Sequence, residues 1–307
     1  MTKIRGNPNP RPSALPYTPK VRLPPPPPPP KPPRSKKGIY IASFLFIYAT
    51  STYTIYLYRT LLAPPDPSKP LPDQDTDLSS RYNETASTFD DNVSFLETTT
   101  GINRLRKKIV GQASGHVLEI SCGTGRNCTY YDLGKVRSLV FVDQSAEMVE
   151  IAKRKWRLIH PNYPNATFLV QDAAKPLPRD VVPRGGFDTV VQTMGVCSCA
   201  DPSGVLKRVG GYVKKKSDGE EGGKVLLVEH GRSGWKWVDW VLDRAAGRHA
   251  VVHGCWPNRD MGGVFGAAGL KVESVVKRGF GTVWGVVGTL GEGEEVKVGG
   301  ADDGGVD

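Results

Sequence analysis

The chain has 307 residues, 38% of them hydrophobic, which is enough for one good core with a large remainder for appendages. Its formal net charge of +10 is unevenly placed: no acidic residue precedes Asp66, while residues 1–65 carry ten Lys or Arg, so the excess belongs to a leader and nucleic acid is excluded as a partner. The five cysteines, Cys122, Cys128, Cys197, Cys199 and Cys255, lack the paired CxxC spacing of a zinc cluster or redox pair, so they read as small buried side chains and no metal is expected.

Residues 1–37 are basic and proline-rich, with an unbroken run from Pro24 to Pro30, and are expected to be disordered or extended polyproline. Such a segment suits an SH3-like protein partner or a targeting leader, although its prolines forbid an amphipathic presequence helix over most of its length. The next stretch, "GIYIASFLFIYATSTYTIYLY" (38–58), has no charged residue across 21 positions and as a helix spans about 31 Å, the thickness of a bilayer core. Lys36, Lys37 and Arg59 flank it, so one membrane-spanning helix is expected within 38–60. "LLAPPDPSKPLPDQDTD" (61–77) is an extended, acidic linker, 78–290 is the folded domain, and 291–307 offers too little apolar surface to fold.

Within the domain, 117–121, 138–142, 167–171, 187–191 and 224–229 are predicted strands. Residues 146–159 are a predicted helix with Met148, Val149, Ile151, Ala152 and Trp156 on its apolar face. Such alternation implies an α/β fold with a parallel sheet covered on both sides. "LKVESVVKRGFGTVWGVVGTL" breaks the pattern as two strands joined at Gly279, a terminal antiparallel hairpin. Ligands of such sheets bind beyond the carboxyl ends of the strands.

The stretch "HVLEISCGTGRNCTYYDLGKVRSLVFVD" (116–143) reads as strand, glycine turn, helix, strand, with Gly123 and Gly125 closing the first strand and Asp143 the second. Glu119 precedes the turn, and "VQDAAKPLP" places Asp172 after the third strand. A dinucleotide fold would put a third glycine where Cys128 stands, which disfavours a nicotinamide oxidoreductase.

With these residues the sequence resembles the class I methyltransferases of the UbiE type, which use S-adenosylmethionine, over roughly two-thirds of its length. That resemblance implies a Rossmann-like seven-stranded sheet and a cofactor site made by Glu119, Ser121, Gly123, Gly125, Asp143, Gln144, Asp172 and Ala173. Gly123 and Gly125 would let the backbone approach the methionine moiety, Asp143 would accept from the ribose hydroxyls, and Asp172 from the adenine amino group. Gln144 and Ala173 would border the adenine, and Glu119 would orient the glycine loop or meet the cofactor's amino group. Ser121 departs from the pattern, since the family's loop usually starts there with glycine.

"RYNETASTFDDNV" and "VEHGRSGWKWVDWVLDRAAGRHAVVHGCWPNRD" are similar to the entry motif and acceptor-side insert of the anchored fungal mitochondrial inner-membrane methyltransferases and their animal thiol-methylating relatives. On that likeness Tyr82 and Phe89 would close over the cofactor. His230, His249 and His253 would be the candidate bases for an acceptor that must lose a proton. A membrane-anchored methyltransferase acting on a small-molecule or lipid-like acceptor is expected. The alternative is a methyltransferase-like assembly factor that holds the cofactor without essential catalysis. The basic leader against the acidic stretch after it predicts a domain in the intermembrane space.

Overall fold

A computed structural model of the chain describes residues 36–59, 71–78, 80–216 and 222–290. The leader before Lys36, most of the linker and the tail after Leu290 lie outside the described residues. Two compact units divide at Thr52.

Helix α1 (Lys37–Leu57) occupies the uncharged segment, and none of its residues is buried. It is long and apolar enough to cross a membrane. Two of its hydroxyls bond back to the helix: Thr50 Oγ1 donates to Phe46 O at 2.9 Å and Thr52 Oγ1 to Tyr48 O at 2.8 Å, which satisfies a hydroxyl on an apolar helix.

The second unit is built on a seven-stranded sheet of order β3-β2-β1-β4-β5-β7-β6. Strands β1 (Gly115–Ile120), β2 (Val136–Asp143), β3 (Ala166–Val170), β4 (Thr189–Thr193) and β5 (Lys224–His230) run parallel. Strands β6 (Leu270–Arg278) and β7 (Val283–Leu290) form the hairpin around Gly279, and β7 lies antiparallel between β5 and β6. The central strands are apolar runs, not alternating ones, because both faces are covered.

On one face, Leu118, Ile120, Val190 and Leu227 pack with α6 (Pro202–Gly210) and α8 (Met261–Ala267). On the other, Val117, Phe141, Val191 and Leu226 pack with α4 (Ile102–Val110) and α5 (Ala146–Ile159), whose Trp156 ring lies 5.2 Å from that of Phe141. Short α2 (Ser80–Thr85) and α3 (Phe89–Thr99) precede the sheet, and α7 (Lys236–His253) follows β5. Chain order reverses between β1 and β4, which opens a crevice beyond their carboxyl ends.

One expected element is absent: no helix forms between β1 and β2. Gly125 N donates to Cys122 O, Cys128 N to Gly125 O and Tyr130 N to Asn127 O, a series of three-residue turns. Left-handed backbone at Gly123 (φ 53°) and Gly125 (φ 73°) breaks the helical repeat. The side chains of Thr124, Arg126 and Asn127 are drawn into polar contacts instead of lining a helix face.

Candidate active site

A cavity of about 430 Å³ occupies the crevice. Ser121, Gly123, Asp143, Gln144, Asp172 and Ala173 line it, together with Tyr82 and Phe89 from the N-terminal segment. Gly125 and Glu119 stand behind the wall. A Cβ on Gly125 would meet Cys128 Sγ at 2.8 Å and the Ala152 backbone at 3.1 Å, so this glycine sets the approach of the turn to α5. Cys128 fills the place of the missing third glycine and is fully buried there.

Asp143 holds the turn. Its Oδ2 accepts from Gly123 N at 2.8 Å and its Oδ1 from Ser145 N at 3.0 Å, leaving further lone pairs on each oxygen for hydroxyl donors in the cavity. Burial holds its carboxyl above the usual range although both N–H groups favour the ionised form. Asp172 Oδ1 is turned to Ala174 N at 2.8 Å. Ser121 carries the conformation expected of glycine, with φ 51°, a backbone that costs a side-chain-bearing residue about 1–2 kcal/mol.

Beneath the turn runs a polar network that sequence reasoning missed. Glu97 on α3 takes Arg106 Nη2 at 2.9 Å on one oxygen and Arg126 Nη2 at 2.7 Å on the other. Arg106 continues to Asn127 and Thr193, and Asn127 Nδ2 donates to Glu119 Oε1 at 2.9 Å. Tyr131 donates its hydroxyl to the other Glu119 oxygen. Asp90 accepts from Thr124 Oγ1 at 2.6 Å and Lys155 Nζ at 2.6 Å.

Against the cost of burial, Arg106 and Arg126 keep the Glu97 carboxyl below its ordinary value. Glu119 has no such pairing, and burial pushes it up to about 7. It props Asn127 and Tyr131, residues downstream of the glycine loop, from below. The signal was partly present, since Arg126 and Asn127 directly follow the turn.

The insert expected on the acceptor side carries α7, and a Cβ on its left-handed cap Gly254 (φ 72°) would meet the Tyr82 ring at 3.1 Å. Tyr82 bridges the two sides: its hydroxyl lies 2.6 Å from Ser198 Oγ and donates to Gly254 O at 3.2 Å, while its ring meets Phe89 edge-on. Glu229, fully buried at the end of β5, accepts from Gly195 N, Val196 N and Cys197 N and so fixes the loop after β4.

His230, His249 and His253 gather here. The His249 ring lies 4.5 Å from that of His253, and its Nε2 is 3.2 Å from Cys255 Sγ. Burial, with His230 close by, lowers His249 to about 4, so its ring is neutral at physiological pH. None of the three histidines lines the cavity; Ser198, adjoining Cys197 in the chain, does.

A protein-family model described as a methyltransferase domain matches residues 94–275. The chain is 32% identical over 227 residues to Methyltransferase OMS1, mitochondrial, of Saccharomyces cerevisiae; the match covers 71% of this chain and 46% of the yeast protein, so the chain spans less than half of that relative. Two solved structures share the fold. One is from the complex of the Haloferax volcanii Trm112 methyltransferase activator with a putative methyltransferase (15% identity, TM-score 0.50, 68% of this chain and 97% of that one). The other is magnesium protoporphyrin IX methyltransferase (ChlM) of Synechocystis PCC 6803 with bound SAH (14% identity, TM-score 0.50, 69% and 97%). The family match over more than half of its length, on a sheet of this order, makes the chain a member of the methyltransferase domain family, whose methyl donor is S-adenosylmethionine.

Proposed function

We propose that the chain is a membrane-anchored methyltransferase that moves a methyl group from S-adenosylmethionine to a small-molecule or lipid-like acceptor. The observation that carries this reading is Asp143, which pins the glycine turn with one lone pair on an oxygen and keeps others for the cavity. Its donor set fits the cofactor: Asp143 takes the ribose hydroxyls, Asp172 the adenine amino group, and Gln144 and Ala173 flank the base. Ser121 and Gly123 bring backbone close to the methionine end, with Gly125 and Glu119 supporting them from behind.

The bound cofactor supplies an electrophilic methyl on a sulfonium. The chain's own residues then have to hold the acceptor in line and keep water out, work for the Tyr82 and Phe89 rings over the cavity. The displacement as proposed does not call on the three histidines as bases, because they stand outside the cavity wall.

Titration calorimetry of the full chain in detergent tests the reading: S-adenosylmethionine binds and NADH does not, and Asp143→Ala loses about 1–3 kcal/mol of affinity. Unchanged affinity in the variant removes the assignment. An Asp172→Arg variant that folds, binds no cofactor and still rescues a deletion strain would establish the assembly-factor alternative.

We further propose that α1 anchors the chain in the mitochondrial inner membrane, single-pass, with the domain in the intermembrane space. The length of α1, the mitochondrial relative and the basic-to-acidic change across the helix support this. In protease protection, the domain should resist digestion in intact mitochondria and be cut once the outer membrane is ruptured. Survival until the inner membrane is dissolved reverses the topology.

A further inference from the structure

Three residues far apart in the chain bring soft donor atoms to one buried point. Cys197 lies in the turn after β4, His230 ends β5, and Cys255 follows the cap of α7. Their ligand atoms all lie within 4.8 Å of one another. Tetrahedral Zn²⁺, with bonds of about 2.3 Å to sulfur and about 2.0 Å to nitrogen, sets its ligands about 3.5–3.8 Å apart. The Cys255 Sγ to His230 Nδ1 separation of 3.9 Å is close to that spacing. We infer that Cys197, His230 and Cys255 form a zinc site.

Several observations point the same way. The backbone that carries the ligands is fixed without the metal: Glu229 holds Cys197 N at 3.2 Å, while Trp256 N and Arg259 Nε donate to Cys197 O at 3.1 and 3.0 Å. Two thiols and an imidazole therefore face each other on rigid supports, the preorganisation that a soft, borderline cation rewards. Binding releases the two thiol protons to solvent. Zn²⁺ replaces two protons, so the cation enters without changing the net charge of the core. The ligands join β4, β5 and the end of α7, so the metal would staple the acceptor-side insert to the sheet beside Ser198. The inference stands independently of methyl transfer.

The test is elemental analysis of the full chain, purified in detergent under reducing conditions without chelator and exposed to zinc. One zinc per chain is expected, and cobalt in its place should give thiolate-to-cobalt charge-transfer absorption. Cys255→Ser and His230→Ala should each lose the bound equivalent, while Cys122→Ala keeps it. Because a ligand variant can fail to fold, the wild type is also alkylated: Cys197 and Cys255 should be protected until a chelator removes the metal. A reduced, folded wild type that takes up no zinc, cobalt bound without thiolate absorption, or a native Cys197–Cys255 disulfide would overturn the site.

Discussion

The two sides of the cavity are built on different principles. The proposed cofactor side is local in sequence: a turn and the strand after it supply Ser121, Gly123 and Asp143, and a charged network braces them from below. The proposed acceptor side is assembled from distant segments, with Tyr82 joined to the Cys197 loop and to the end of α7 by single hydrogen bonds to Ser198 and Gly254. The first is stiff because buried charges tolerate no loss of partner. On the second, Glu229 and Arg259 fix the Cys197 loop, while Tyr82 is tied to that loop and to the end of α7 by neutral contacts that a single substitution removes.

The largest expected effect strikes the braced side. Glu97→Ala leaves Arg106 and Arg126 without their shared carboxylate and should cost about 3–5 kcal/mol in urea denaturation; a loss under 1 kcal/mol would mean the network is solvated and the contrast false. Gly125→Ala forces a side chain into left-handed backbone against Cys128 Sγ and should cost about 2–4 kcal/mol. Gly254→Ala, whose nearest neighbour is the rim of the Tyr82 ring, should cost less, and equal losses would erase the difference between the sides.

Next comes pH. Glu119 sits at about 7 in the folded chain against an ordinary value of 4.5, so the folded state holds its proton more tightly. The benefit is complete below the unfolded value and is lost as pH rises through about 7, a fall of about 3 kcal/mol. Thermal melting across that window should show a decline that Glu119→Gln flattens, and identical slopes would remove Glu119 as its source. Smallest is Tyr82→Phe, which breaks the bridge between the sides and should cost about 1 kcal/mol, together with weaker acceptor binding measured as a raised KM.

Those features legible in the sequence were the ones whose physics is local. Asp143 shows because an apolar run must end before a carboxylate can face a crevice, and the final hairpin shows because Gly279 interrupts two β-branched runs. Arg106 was hidden because periodicity assigns a charged residue to the solvent face, yet on α4 it sits among the buried Ile102, Leu105 and Ile109. Glu97, Asn127 and Thr193, all on other elements, make that tolerable. The Cys197, His230 and Cys255 grouping was hidden for a related reason: paired spacing finds metal sites closed by one loop, and this one is closed by sheet topology.

The position of β7 sets the order in which the domain can be completed. It is the last strand of the described residues to leave the ribosome, yet it fills the gap between β5 and β6. Until it arrives, β5 has a bare edge in the middle of the future sheet, and Glu229 and His230, which pair across to Trp284 and Val283, lack their neighbours. A chain threaded through a membrane pore amino end first would thus carry an open, aggregation-prone strand edge until almost all of the domain has emerged. The acceptor side, built around the end of β5, is then the last part to become rigid, and a chaperone that shields apolar strand edges would act longest on this half of the molecule.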